Sequence, residues 1–312
     1  MNKFIQLKKI IKKYKNILIM THKNPDLDGF SSCLAMQDIL TKFNIDSEVY
    51  LNETNLDITI IKTLEILKKN YKFAYDMSKK YDLLIIIDVN KKNLLENEEA
   101  FDIIENTLII DHHIKGFGYI EATYEICDPK YSSVSEMMVE FLSYLKINLC
   151  KDLYTCLLAG MEIDTNGFSV RVTSNTFKIA AVLLDKGADL VFKQKLLKEN
   201  RDEYIKQQYF IKNSLFYNNT MICMLDNNKY DKKYLAMISE ELLQFEDVEA
   251  SFTIGYIDDN IIGISARSIG NIDVEKIMNH FNGGGHTTNA AAQVNAKSKN
   301  EIKNELLTII GG

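Results

Sequence analysis

The stretch 107–113, TLIIDHH, decides how this chain is read. Thr107 to Ile110 is an apolar, β-branched run of the kind that fills the interior of a parallel sheet. It leads straight into Asp111, His112 and His113, in a chain that has only five histidines. Three polar, metal-competent side chains at the exit of a buried strand exceed what packing requires. In open α/β sheets, ligands bind outside the carboxyl ends of the strands. Other strand exits in the chain repeat the pattern.

Upstream, 16–21 (NILIMT) reads as the first strand and is followed by HKNPDLDGFSS, 22–32. Pro25 keeps the residue before it out of a helix, so His22 to Pro25 is a loop. Residues 29–42 then follow helical spacing. His22, Asp26 and Asp28 thus lie between a strand end and a helix start, where one carboxylate satisfies a cap and two plus a histidine exceed it. Residues 82–88, DLLIIID, form a buried strand closing on Asp88. Further on, a helix at 151–161 runs into EIDTNGF, 162–168, which sets Asp164 before an Asn-Gly turn. Strands at 47–51 and 124–128, a helix or mixed segment at 55–69 and helices at 91–105, Val134 to Leu145 and 175–185 complete this half. Ser132 or Ser133 caps the second of those helices, with Glu136 available for a capping box. The basic N-terminus places Phe4, Leu7, Ile10, Ile11 and Tyr14 at helical spacing. It lacks the continuous apolar core of a secretory signal.

The first domain is expected to end at Gly187. A charged stretch at 190–213 reads as a helix connecting two domains, with boundaries at 1–187, 188–215 and 216–312. Strands follow at 220–225, 251–257 and 261–266, the last two joined as a hairpin through Asp258–Asn260. Helices occupy 234–245, 272–281 and 300–309, and NGGGH, 282–286, reads as a loop. The expected fold is α/β: a parallel sheet with flanking helices, a linker helix, and a smaller α/β domain with a mixed sheet.

An apolar fraction of 46% and a charged fraction of 26% are those of a soluble globular protein. No apolar run reaches the ~18 residues of a membrane span, so no membrane attachment is expected, and the cysteine usage makes a cytoplasmic protein the expectation. Cys33, Cys127, Cys150, Cys156 and Cys223 are scattered and never form a CxxC pair, which argues against disulfides and zinc. A net charge of −6 argues against long duplex nucleic acid as a partner. It leaves room for a small anion gripped by a few focused cations.

The strand-end set is His22, Asp26, Asp28, Asp88, Asp111, His112, His113 and Asp164. Carboxylates converging in such numbers repel one another unless cations join them. Two divalent ions ~3.5–4 Å apart resolve this and suit phosphoester hydrolysis by an activated water. Asp and His ligands without thiolate favour two Mn²⁺, with Mg²⁺ or Co²⁺ as alternatives. Asp88 can bridge the pair. Arg171 and Arg267, the latter followed by Ser268, are natural phosphate binders. Gly283, Gly284 and Gly285, immediately before His286, allow backbone amides to approach an anion. No GxGxxG follows the first strand, which argues against a dinucleotide oxidoreductase. A nucleotide-binding regulator without turnover is the non-enzyme alternative. A lost ligand aspartate would support it, and none is lost.

Taken together, THKNPDLD (21–28), IIID (85–88), DHH (111–113), EIDTNGF (162–168), ARS (266–268) and GGGH (283–286) resemble the DHH phosphoesterase family. The order of motifs is similar to a DHH catalytic domain, Rossmann-like in fold, followed by a DHH-associated C-terminal domain. The resemblance implies one Mn²⁺ on His22, Asp26 and Asp88, and a second on Asp28, Asp88, His112 and Asp164. It implies that Asp111 supports the site and that His113 contacts the scissile phosphate. Arg267, the GGGH run and His286 would hold the substrate in a cleft between domains, and Arg171 has a less defined role. The two-domain form resembles nanoRNases. Hydrolysis of very short RNA and of 3′-phosphoadenosine 5′-phosphate (pAp) is therefore the first expectation. Breakdown of cyclic di-AMP or linear pApA is the second. A homodimer is also expected by resemblance.

Overall fold

The computed structural model describes residues 2–311 apart from 55, 117, 199 and 296. The chain divides into two compact units, the first ending at Lys198. In that unit six strands form one sheet: β1 (Asn16–Met20), β2 (Asp46–Tyr50), β3 (Phe73–Ala74), β4 (Leu83–Ile87), β5 (Thr107–Asp111) and β6 (Tyr124–Cys127). Its helices are α1 (Asn2–Ile11), α2 (Leu27–Lys42), α3 (Ile58–Leu67), α4 (Glu98–Ile103), α5 (Val134–Leu145), α6 (Lys151–Asp164), α7 (Ser174–Asp185) and α8 (Leu190–Leu196).

All pairings in this sheet are parallel, in the order β3-β2-β1-β4-β5-β6. The chain starts at the centre with β1, moves outward through β2 and β3, then returns to lay β4 on the other side of β1. The strand order therefore reverses between β1 and β4, the point at which doubly wound sheets open a ligand crevice. β4 and β5 are buried along their whole length. Alternate residues explain why. Ile85, Ile87, Leu108 and Ile110 join the core under α1, α2, α5 and α6, while Leu84, Ile86 and Ile109 join a second core with Ala100 of α4. Buried on both faces, these strands lose alternation and read as continuous apolar runs.

The second unit holds α9 (Arg201–Lys212), β7 (Leu215–Tyr217), β8 (Thr220–Lys229), α10 (Lys232–Leu242), β9 (Ala250–Asp258), β10 (Ile261–Ser268), α11 (Val274–His280), β11 (Gly284–His286), β12 (Asn289–Asn295) and α12 (Lys299–Gly311). The sheet is mixed, ordered β11-β12-β10-β9-β8-β7, with β8 and β9 parallel and the other pairs antiparallel. Val274, Met278, Ile302 and Leu306 from α11 and α12 fill one face. Phe210, Leu235, Ile238 and Leu242 from α9 and α10 cover part of the other.

Several sequence expectations are corrected. The single connecting helix at 190–213 is two helices. Asn200 interrupts it by capping α9, its side chain accepting from the amides of Asp202 and Glu203. The helix at 91–105 shrinks to a 3₁₀ turn at Lys92–Leu94 and the short α4. The supposed GGGH loop is largely strand β11, paired with β12 through Gly284–Ala291, Gly285–Ala290 and His286–Asn289. Strands β3, β7 and β12 have no counterpart in the sequence reading. Two are very short, and the small-residue run in β12 carries little strand propensity. Ser133 is the residue that caps α5, its hydroxyl accepting from the amide of Glu136 at 3.1 Å. Among the described residues no helix is long and apolar enough to cross a membrane, and the five cysteines are free.

Candidate metal centre

Three neighbouring strand exits supply the first residues. His22 follows β1, Asp88 follows β4, and Asp111, His112 and His113 lie at the end of β5. Parallel register aligns these exits: Met20 pairs with Ile86, and Ile87 with Ile110. The other candidate ligands arrive on helices. Asp26 caps α2, accepting from the amide of Gly29 at 3.1 Å, and Asp28 lies in the first turn of the same helix. Asp164 is the last residue of α6, whereas the sequence suggests a turn. It reaches the site because α6 packs against α2. At Gly160 of α6 an added Cβ would lie 2.8 Å from the Asp28 Cα. That approach, closed to any other residue type without movement, lets the two helices bring Asp28 and Asp164 together.

These residues form overlapping groups whose potential ligand atoms all lie within 4.8 Å of one another. One group is His22, Asp26 and Asp88; a second is Asp28, His112 and Asp164; a third is Asp88, His112 and His113. His22 Nε2 lies 3.7 Å from Asp26 Oδ2 and 3.9 Å from Asp88 Oδ2. His112 Nε2 lies 3.4 Å from Asp88 Oδ1 and 3.0 Å from Asp164 Oδ2. Asp88 thus stands between the two sides with one oxygen toward each.

The hydrogen bonding is incomplete where a cation would complete it. His112 Nε2 and Asp88 Oδ1 are buried without a hydrogen bond, although carboxylates and imidazoles surround them. The short His112–Asp164 distance lacks hydrogen-bond alignment. Buried polar atoms ordinarily find partners, so such orphans fit atoms that a cation would coordinate. Asp88 also adopts a left-handed backbone, φ 63°, a conformation that costs a non-glycine residue energy and clusters at functional sites. Asp28 accepts from the amides of Val134 and Ser135 at 2.8 Å each, anchored by the first turn of α5. Each of its oxygens retains a lone pair for a cation. The residues therefore fit a pair of divalent cations. When bound, such ions would neutralise phosphoryl oxygens and lower the pKa of an attacking water.

Without cations, the electrostatics show the strain of the arrangement. Burial, reinforced by Asp164, raises Asp28 to about 7, and burial with Asp28 beside it pushes Asp88 well up. Burial lowers the histidines, but the adjoining carboxylates more than compensate. Asp26 and Asp88 carry His22 to about 9, and Asp164 and Asp88 carry His112 to about 11. All these shifts are upward, so the metal-free folded protein holds more protons than the unfolded chain. Its stability falls as pH rises, from ~6.5 through about 9 for His22. A cation must displace those protons. The expected result is that Mn²⁺ raises Tm more at pH 8.5 than at pH 6 and releases protons into a weakly buffered solution. An equal Tm shift at both pH values with no proton release would contradict this site.

Asp111 plays another part. Its Oδ1 accepts from the His113 amide at 3.1 Å and lies 2.7 Å from His113 Nδ1. Burial would raise Asp111, but the His113 hydrogen bond dominates and holds it below the usual carboxylate value. His113 is thereby oriented through Nδ1, with a side chain 48% exposed and Nε2 available to a ligand. Arg171, left-handed at φ 54°, donates from Nη2 to the Asp164 carbonyl at 2.8 Å and lies 4.0 Å from its Oδ2. Reading by motif gives no role to Thr21, the first residue of THKNPDLD, and misses Asn90 and Glu96. Each has a buried side-chain atom without a hydrogen bond, beside the same strand exits. Asn90, two residues past Asp88, is within reach of the strand-exit argument; Glu96 carries no local signal.

In the second unit, Arg267 and Gly283 line one pocket of about 260 Å³. Arg267 donates from Nε to Glu240 Oε1 at 3.1 Å and from Nη1 to the Ala266 carbonyl at 3.0 Å. Gly283 must be glycine, because a Cβ there would lie 2.2 Å from the Ala291 carbonyl oxygen. Ser268, Gly284, Gly285 and His286 are not among the residues lining that pocket. Ser268 is buried, its hydroxyl donating to the Thr287 carbonyl at 3.2 Å.

Residues 16–161 match the DHH family N-terminal domain, and residues 217–312 match the DHHA1 domain. The chain belongs to the DHH family. This DHH protein is 34% identical over 318 residues to the cyclic-di-AMP phosphodiesterase GdpP of Bacillus subtilis (strain 168), covering 96% of the present chain and 48% of that relative. The chain thus spans about half the length of that curated relative. In structure it is similar to an exopolyphosphatase-related protein from Bacteroides fragilis, with TM-score 0.80, 21% identity and coverage of 99% and 95% of the two chains. RecJ of Thermus thermophilus in complex with Mn²⁺ shares the DHH fold at TM-score 0.56 and 12% identity, over 99% of this chain and 54% of RecJ.

Proposed function

We propose that this DHH protein is a metal-dependent phosphodiesterase acting on cyclic and linear dinucleotides, cyclic di-AMP and pApA foremost. The observation that carries the proposal is the sharing of Asp88 between the His22–Asp26 side and the His112 side of one buried cluster. Such a bridge is what a two-cation phosphoesterase requires. In this reading His22, Asp26 and Asp88 would hold one cation, and Asp28, Asp88, His112 and Asp164 the other. Mn²⁺ in the RecJ structure supports manganese as the ion. His113, oriented by Asp111, would donate from Nε2 to a phosphoryl oxygen. Arg171 would steady the Asp164 carboxylate and add positive charge beside the scissile phosphate. Arg267, with Gly283 beside it, would hold a phosphate in the second unit; Ser268, Gly284, Gly285 and His286 would support that segment.

The sequence motifs rank short RNA and pAp ahead of cyclic or linear di-AMP. Kinship with a cyclic-di-AMP phosphodiesterase along almost the whole chain supports the reverse order. The test is product analysis after incubation with Mn²⁺ and, separately, cyclic di-AMP, pApA, a 5′-labelled RNA trimer and pAp. The expected result is conversion of the dinucleotides to pApA and AMP, outpacing the other two substrates. Turnover of the trimer and pAp alone would restore the nanoRNase reading. No turnover of any of the four with Mn²⁺, Mg²⁺ or Co²⁺ would leave a nucleotide-binding regulator.

A further inference from the structure

Asp28, His112 and Asp164, the candidate ligands on one side of Asp88, share a support that supplies no ligand atom itself. Residues 131–136, the loop before α5 and its first turn, provide it. His112 Nδ1 faces the Tyr131 carbonyl at 3.4 Å. With Nε2 turned to a cation, Nδ1 carries the proton and donates to that carbonyl, which fixes the ring. The Val134 and Ser135 amides hold the two oxygens of Asp28. One stretch of backbone thus orients two of the three side chains, and the next residue, Glu136, holds that stretch in place.

Glu136 is only 1% exposed. Its carboxylate turns back toward the loop. Oε2 accepts from the Ser132 amide at 3.0 Å, the Ser132 hydroxyl at 2.6 Å and the Thr176 hydroxyl at 3.1 Å. Oε1 accepts from the Asn175 carboxamide at 2.6 Å. The same Asn175 nitrogen donates to Glu140 Oε1 at 2.7 Å, and Glu140 Oε2 accepts from the Tyr131 hydroxyl at 2.6 Å. A carboxylate so deep is costly unless its charge is met. Here four donors meet it, and it lies against the first turns of α5 and α7, where the helix dipole favours an anion.

Asn175 and Thr176 belong to the start of α7, and the loop that reaches α7 leaves directly from Asp164. Glu136 therefore pins the backbone behind His112 and Asp28 to the far end of the Asp164 loop. His22 and Asp26, on the other side of Asp88, are held elsewhere: His22 Nδ1 meets the Lys23 carbonyl at 3.0 Å, and Asp26 caps α2. We infer that Glu136 is a positioning residue for the Asp28–His112–Asp164 cation alone. The inference rests on the two-cation reading of the site. Glutamine is nearly the same size as glutamate, but its amide nitrogen would face a donor either way, Asn175 Nδ2 at one end or the Ser132 amide at the other. The ties would break with little change in volume.

The test is a Mn²⁺ titration of the full chain, with bound ions counted by equilibrium dialysis and the free ion read by electron paramagnetic resonance. The parent is expected to bind two ions. Glu136→Gln should bind one of them about tenfold more weakly, the lower end of the cost of losing a residue that supports a metal ligand, and the other with unchanged affinity. In an Asp26→Asn background, where the opposite group is damaged, Glu136→Gln should weaken the ion that remains. Asn175→Ala keeps the Glu136 carboxylate, cuts its tie through Oε1 to α7, and should weaken the same ion by a smaller factor. It decides the matter if Glu136→Gln does not fold. Equal weakening of both ions by Asn175→Ala, with a lower Tm in EDTA, would make the network a part of the scaffold and overturn the inference. So would parental binding of both ions by Glu136→Gln and Asn175→Ala. A parent that binds fewer than two Mn²⁺ would instead sink the two-cation reading, and this inference with it.

Discussion

Asp88→Asn is expected to remove turnover and cation binding while making the metal-free protein more stable. The carboxylate lies between two ligand groups, so its loss damages both. The effect should exceed the roughly 10–100-fold cost of losing a residue that only supports a metal ligand. Asparagine is nearly isosteric and tolerates the left-handed backbone of position 88. Stability should move the other way. Burial and the neighbouring Asp28 push the Asp88 carboxyl up, so its anion is unfavourable in the metal-free fold at neutral pH. A neutral amide removes that penalty. Calorimetry in EDTA should therefore show a higher Tm for Asp88→Asn than for the parent, with Mn²⁺ raising the parent alone. A variant that binds Mn²⁺ normally and turns over at the parental rate would remove Asp88 from the bridging position. One that melts lower in EDTA would instead make Asp88 a residue of the scaffold.

The second large effect is expected at a residue that supplies no ligand atom itself. Gly160→Ala inserts a methyl group 2.8 Å from the Asp28 Cα, 3.0 Å from the Asp28 nitrogen and 3.0 Å from Ser135 Oγ. In an open helix the same change would stabilise by about 1 kcal/mol. Here the obstruction is mainly backbone, so α2 and α6 must separate. Overpacking of this kind costs about 1–3 kcal/mol, and each kcal/mol lowers Tm by roughly 2–4 °C in a domain of this size. The separation also draws Asp28 away from Asp164. The expected variant is folded, less stable, and needs more Mn²⁺ for the same Tm rise. A Tm at or above the parent with an unchanged Mn²⁺ titration would show that the helices accommodate the methyl group and that the close approach is not what sets the site.

The glycine illustrates the limit of reading the chain linearly. His22, Asp88 and Asp111–His113 are legible because each follows an apolar strand, and a parallel sheet brings neighbouring strand exits to one edge. Local sequence and one topological rule are enough for that. The candidate ligands on helices are different. Asp164 looks like a turn carboxylate because nothing near it in sequence shows that α6 extends to it or that Gly160 lets α6 meet α2. The double anchoring of Asp28 by the amides of Val134 and Ser135 joins segments far apart in the chain.

In the second unit the hairpin of β9 and β10 is visible from its paired apolar runs and its turn. The role of the glycine run is not, because strand β11 exists only by pairing with β12, a segment of alanines with little propensity of its own. Arg267 stands out as a candidate cation, but Glu240, which holds it, and the amides of Asn282 and Gln293, which share its pocket, carry no local mark. Hydrophobic periodicity and strand termini are local properties. The candidate ligands at the strand ends and the division into two α/β halves can therefore be read from the chain alone. Which carboxylates meet, which of them share a histidine, and which polar groups stay buried without a partner are settled only on folding. Those facts depend on helix crossings and sheet register, which bring together residues that local sequence leaves unrelated.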